Sequence, residues 1–150
     1  MSEQANERIV IHAPAQACYE VAADVERYPD WAKDVKDATV LERDDEGRPV
    51  QVAFRTAAMG RSTSYTLRYD YAAAPQRLSW YLVEGDLTQV LDGVYDFNPV
   101  EGDASSTEVV YHLEVDLVVP LPGFVKRRAE AKILRTALPE LKARVEAVAS

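Results

Sequence analysis

The chain has one cysteine, Cys18, and two histidines, His12 and His112. A single cysteine excludes an internal disulfide, and a reducing cytoplasm suits that count. Cys18 and the histidines stand far apart and match no metal-ligand spacing. Basic residues are short: 17 Lys and Arg face 25 Asp and Glu, for a formal charge of -8. Such a chain repels phosphate backbones and argues against nucleic acid or anionic lipid surfaces as partners. No apolar run approaches the ~20 residues that cross a bilayer, so no stable membrane insertion is expected. Residues 1–7, MSEQANE, are polar, lack the apolar core of a secretory signal and are expected to be flexible. There is no GxGxxG, no P-loop and no Ser-His-Asp or Cys-His signature. These absences assign no catalytic residue, no metal and no cofactor.

What is present organises 150 residues as one domain, 1–150, with no linker, repeat or low-complexity segment. Arg8–His12 reads as a first strand, β-branched and closed by Ala13-Pro14. Ala15–Val25 has helical spacing, and Pro29 ends that helix and allows a second short one. Six alternating segments follow. They centre on Ala38–Arg43, Val50–Thr56, Tyr65–Asp70, Leu78–Leu82, Leu87–Phe97 and Val109–Leu117. Turn signals at Asp44–Gly47, Ala57–Gly60, Ala73–Gln76 and Glu84–Asp86, with a polar loop from Asn98 to Ser106, separate them. Hairpin-length connections make the six an antiparallel meander.

The last 29 residues, Pro122 to Ser150, carry a helical pattern. Phe124, Arg127, Ala131, Leu134, Leu138, Leu141, Val145 and Val148 recur at steps of three and four. Arg127 is the one charged member. Two placements are open for it: facing a cavity and pairing with a ligand oxygen, or snorkelling to solvent at the rim. Pro139 removes one helical hydrogen bond and predicts a bend near Thr136 to Leu138.

A long helix over a curved sheet can enclose a cavity. Tyr65, Tyr69, Trp80, Tyr95 and Tyr111 fall on strand faces that also carry Leu, Val or Phe. Their rings can wall such a cavity while hydroxyls fix a ligand, or each polar tip can find a protein partner in a filled core. Phe54, Phe124 and Leu134 are further wall candidates, Trp31 an end cap, and Gln89 a polar contact between Leu87 and Leu91.

The element order and several turn motifs carry a resemblance. These are Ala13-Pro14-Ala15, Tyr28-Pro29-Asp30-Trp31, Val83-Glu84-Gly85-Asp86, Asp92-Gly93-Val94-Tyr95 and Leu121-Pro122-Gly123-Phe124. The chain resembles START-like (SRPBCC) proteins, in particular the polyketide cyclase/dehydrase and lipid-transport group. That resemblance implies an α+β helix-grip fold (START/Bet v 1-like): a curved antiparallel sheet of about seven strands around a long C-terminal helix, with two short helices after strand 1. It also implies an apolar cavity for a lipid, quinone or polyketide-like molecule. The motifs mark turns and packing, so fold does not decide function. The first expectation is binding or carriage of a small hydrophobic ligand. The alternative is a polyketide aromatase/cyclase or dehydratase using Arg55, Arg127, Tyr65 and Tyr69 as donors. A third reading is an interaction domain with a filled core. The chain is expected to be cytoplasmic, as monomer or homodimer.

Overall fold

The computed structural model describes residues 3–58, 61–118 and 122–149. Seven strands form one antiparallel sheet: β1 (Glu3–Ile11), β2 (Val35–Arg43), β3 (Pro49–Ala58), β4 (Arg61–Asp70), β5 (Arg77–Gly85), β6 (Thr88–Val100) and β7 (Asp103–Leu117). Their order is β1-β7-β6-β5-β4-β3-β2, so the meander is sequential and only β1 is brought back to pair with β7. Helix α1 (Ala15–Ala23) and a 3-10 helix (Val25–Asp30) lie between β1 and β2, and α2 (Gly123–Ala149) closes the chain. This is the helix-grip arrangement.

Strand β7 shows why the sheet has two distinct faces. From Thr107 to Leu117 every odd-numbered residue is buried and every even-numbered one is half-buried. The apolar set Val109, Tyr111, Leu113, Val115 and Leu117 therefore lines the concave side, while His112, Glu114 and Asp116 face away. Gly47 and Gly102 take positive φ (83° and 80°) in the β2–β3 and β6–β7 turns, a backbone that side-chain-bearing residues rarely adopt. In α1 the small buried residues Cys18 and Ala22 let the helix sit close to the sheet.

Several boundaries differ from expectation. From Glu3 onward, the segment 1–7, expected to be flexible, is strand, paired in register from Glu3↔Val115 to Ile11↔Thr107. Its polar side chains belong to an edge strand whose backbone is held by β7. The polar stretch 98–106 is mostly strand as well, because β6 and β7 run on to a tight turn at Glu101-Gly102. α1 stops at Ala23, before Pro29 is reached. The turn expected at 57–60 lies partly outside the described residues. As expected, Pro139 lies inside α2, and it sits on the exposed side.

α2 packs on β1, β7 and α1. Its buried stripe is Leu134, Leu138, Leu141 and Val145. Each such side chain contributes about 1.5–3 kcal/mol on burial. Because α2 packs directly on β1 and β7, a gap remains between it and the concave faces of β3 and β4.

Candidate functional site

That gap holds a cavity of about 210 Å³. Its floor comes from inward-facing residues of five strands. β3 gives Phe54 and Thr56, β4 gives Thr63, Tyr65, Leu67 and Tyr69, and β5 gives Trp80. β6 gives Thr88, Leu91 and Tyr95, and β7 gives Tyr111, Leu113, Val115 and Leu117. Tyr28 and Trp31, from the 3-10 helix and its end, form one wall together with Asp34 and Val35. The roof is a second stripe of α2, Ile133, Thr136, Ala137 and Glu140. Its members are spaced three and four apart like the anchoring stripe, but two are small. That smallness leaves the space unfilled.

The aromatic rings form two linked groups. In the first, Tyr28 meets Trp31 edge to face (centroids 5.1 Å apart, planes at 70°) and stacks on Phe54 at 5.9 Å; Phe54 meets Tyr65 at 5.6 Å. In the second, Trp80 contacts Tyr69, Tyr95 and Tyr111 at 6.0, 5.3 and 6.2 Å, and Tyr95 meets Tyr111 at 4.8 Å. Such tilted ring pairs stabilise beyond their area burial. Trp80 lies opposite Gly93 in the β5–β6 ladder.

The hydroxyls of these tyrosines are unequally satisfied. Tyr28 donates to the Ala22 carbonyl, which fixes the wall to the end of α1. Among the described residues, the hydroxyls of Tyr65, Tyr95 and Tyr111 have no protein partner, yet no fully enclosed side-chain N or O lacks one. These three hydroxyls therefore open onto the cavity. Burial pushes all of these phenols above their ordinary value, and Asp34 adds to the rise for Tyr65, as Glu140 does for Tyr95. They stay protonated and available as donors.

At the half-buried side, Asp34 and Glu140 reach the cavity edge. The Lys33 backbone N–H donates to Glu140 Oε2 at 3.0 Å, tying α2 to the segment before β2. Lys132 Nζ is 3.9 Å from Asp34 Oδ2. No Lys, Arg, His or Cys lines the cavity among the described residues. The same residues hold no group of three His, Cys, Asp or Glu placed to bind a metal. This arrangement can donate hydrogen bonds, stack against rings and exclude water.

Of the residues singled out in the sequence, Trp31, Phe54, Tyr65, Tyr69, Trp80, Tyr95 and Tyr111 come together around the cavity. Leu134 is in the core, 7% exposed, on the anchoring stripe rather than the roof. Gln89 is exposed, because a register shift between Thr88 and Val90 turns Thr88 inward in its place. Phe124 is 61% exposed. Arg127 is also exposed, its guanidinium folded back near Gly123 in the helix's first turn, which excludes the pocket placement. The buried polar residue of α2 is Glu130, 1% exposed. Its Oε2 accepts from the Leu117 N–H at 2.9 Å and lies 3.8 Å from Lys126 Nζ.

Solved structures share this architecture. A START superfamily protein from Mycobacterium smegmatis superposes with a TM-score of 0.85 at 23% identity, covering 97% of this chain and 98% of that one. A protein from Thermus thermophilus gives 0.79 at 23% identity, covering 99% and 100%. An aromatase/cyclase from a Streptomyces species gives 0.81 at 19% identity, covering 97% and 94%. At these identities the likeness is one of fold. No curated protein matches. The family described as polyketide cyclase / dehydrase and lipid transport matches residues 11–142, nearly the whole helix-grip unit. The chain therefore belongs to the polyketide cyclase/dehydrase and lipid-transport family of START-like proteins.

Proposed function

We propose that the protein binds and carries a small, mainly apolar ring compound bearing oxygen groups. The observation that carries this reading is the cavity walled by aromatic rings, with the Tyr65, Tyr95 and Tyr111 hydroxyls turned into it without protein partners. A ligand that accepts from them gains orientation as well as burial. The 210 Å³ volume falls just below the roughly 300–1,000 Å³ usual for ligand pockets. It favours a one- or two-ring molecule, quinone-like or polyketide-like, over a long acyl chain.

Binding is favoured over cyclisation by where the cations lie. Arg127 is outside the cavity, and Arg55 is exposed and pairs with Asp37 at 2.8 Å. Of the candidate donors Arg55, Arg127, Tyr65 and Tyr69, only the two tyrosines line the cavity among the described residues. A reducing cytoplasm suits the one buried thiol, Cys18.

Native mass spectrometry of the purified protein, followed by titration with naphthol, tests the reading. A retained or acquired ring compound is expected. The roof substitution Ala137→Trp should abolish it while leaving the circular dichroism unchanged. Equal uptake by the filled variant would overturn the proposal.

A further inference from the structure

The cavity edge carries charge of one sign. Among the described lining residues the only ionisable groups outside the phenols are the carboxyls of Asp34 and Glu140. The cations near them approach from solvent. Lys132 is 72% exposed and 3.9 Å from Asp34, and Lys33 contributes only its backbone N–H to Glu140. Inside the edge, Tyr95 and Tyr111 are 6% and 4% exposed, and their hydroxyls have no protein partner. Ring faces of Tyr28, Trp31 and Trp80 add further negative quadrupole density to the walls. An anionic ligand entering here loses water and meets two carboxylates, and the cation paired with Asp34, Lys132, stays on the solvent side and does not line the cavity. A neutral oxygen loses little, because a phenol donates to it. A protonated amine gains from both carboxylates and rings.

We infer that the site selects by charge: it takes uncharged or ammonium-bearing ring compounds and rejects carboxylates, with Asp34 and Glu140 as the specificity-determining residues. This rests on the binding reading above, and it narrows the ligand class.

Three naphthalene probes of matched size test it: naphthol, naphthylmethylamine and naphthoate, titrated at neutral pH and followed by tryptophan fluorescence. The amine is expected to bind at least as tightly as the alcohol, and the carboxylate at least about tenfold more weakly than the alcohol. In the Asp34→Asn/Glu140→Gln variant the carboxylate should come within about threefold of the alcohol. Gln at 140 keeps an oxygen for the Lys33 N–H, and the single Asp34→Asn variant, at a half-exposed position, should shift the ratio in the same direction. If all three probes bind alike to the unaltered protein, or if the double variant leaves the ratio unchanged, charge selection is overturned while the cavity reading stands. If none of the three binds, the cavity reading itself fails and takes this inference with it.

Discussion

The indole of Trp80 rests on the backbone of Gly93: a Cβ added there would lie 2.5 Å from Trp80 Cζ2 and 2.9 Å from Cε2. The two are direct partners in the β5–β6 ladder. The ring can lie flat across the neighbouring strand only because that strand has no side chain at this point. Gly93→Ala should push the indole away from the floor and destabilise the protein by about 1–3 kcal/mol. Urea unfolding gives the loss. The fluorescence of Trp80 in a Trp31→Phe background should shift as the ring moves.

The unpartnered hydroxyls make a different kind of prediction. Tyr111→Phe and Tyr65→Phe remove an oxygen that no protein group uses, so stability should change by less than about 0.5 kcal/mol. Ligand affinity should fall by about 0.5–1.5 kcal/mol for each hydroxyl the ligand engages. Unfolding and calorimetric titration of the same two variants separate these effects. A large stability loss with unchanged affinity would show the hydroxyls to be structural.

Glu130 and Arg127 should behave in opposite ways. Glu130→Ala strands the Leu117 N–H beneath α2 and should cost about 1–3 kcal/mol. Lys126 keeps Asp116 as a partner at 2.7 Å, so the loss falls on the backbone contact. Arg127→Ala alters an exposed side chain and should stay within about 0.5 kcal/mol. Thermal unfolding of the two variants side by side checks the contrast.

The cavity phenols also set an alkaline limit. Burial raises Tyr28, Tyr65, Tyr69, Tyr95 and Tyr111 above the ordinary 10.0. In the unfolded chain they ionise near that value, whereas in the folded protein they hold their protons. The folded state then binds more protons, so this contribution is fully present below pH 10 and is lost as pH rises above it. Tyrosinate absorbance should therefore rise in a step that coincides with loss of circular dichroism. Smooth ionisation of every tyrosine in the folded protein would contradict the burial.

The sequence makes some of this legible and hides the rest for identifiable reasons. Strand β7 reads correctly because its alternation is unbroken from Val109 to Leu117. Gln89 misreads because the β6 register shifts between Thr88 and Val90, and one extra residue exchanges the faces. On α2 the apolar stripe is sound from Leu134 to Val145. Extended towards the N-terminus it passes through Ala131 and Arg127, whereas the helix buries Glu130. Glu130 lies four residues before Leu134, but a carboxylate in that place makes sense only once the Leu117 N–H needs an acceptor. Tyr28 is visible only as part of a turn motif, because its hydroxyl partner, the Ala22 carbonyl, is a product of where α1 ends.

The two stripes of α2 divide its labour. Leu134, Leu138, Leu141 and Val145 anchor the helix, while Ile133, Thr136, Ala137 and Glu140 touch the enclosed space. Room for the guest and adhesion of the helix are therefore separate variables, set by different positions of one element. Exchanging Thr136 or Ala137 for larger or smaller residues can resize the chamber without loosening the anchor, so lineages sharing this scaffold can diverge in what they hold through changes at single helix positions.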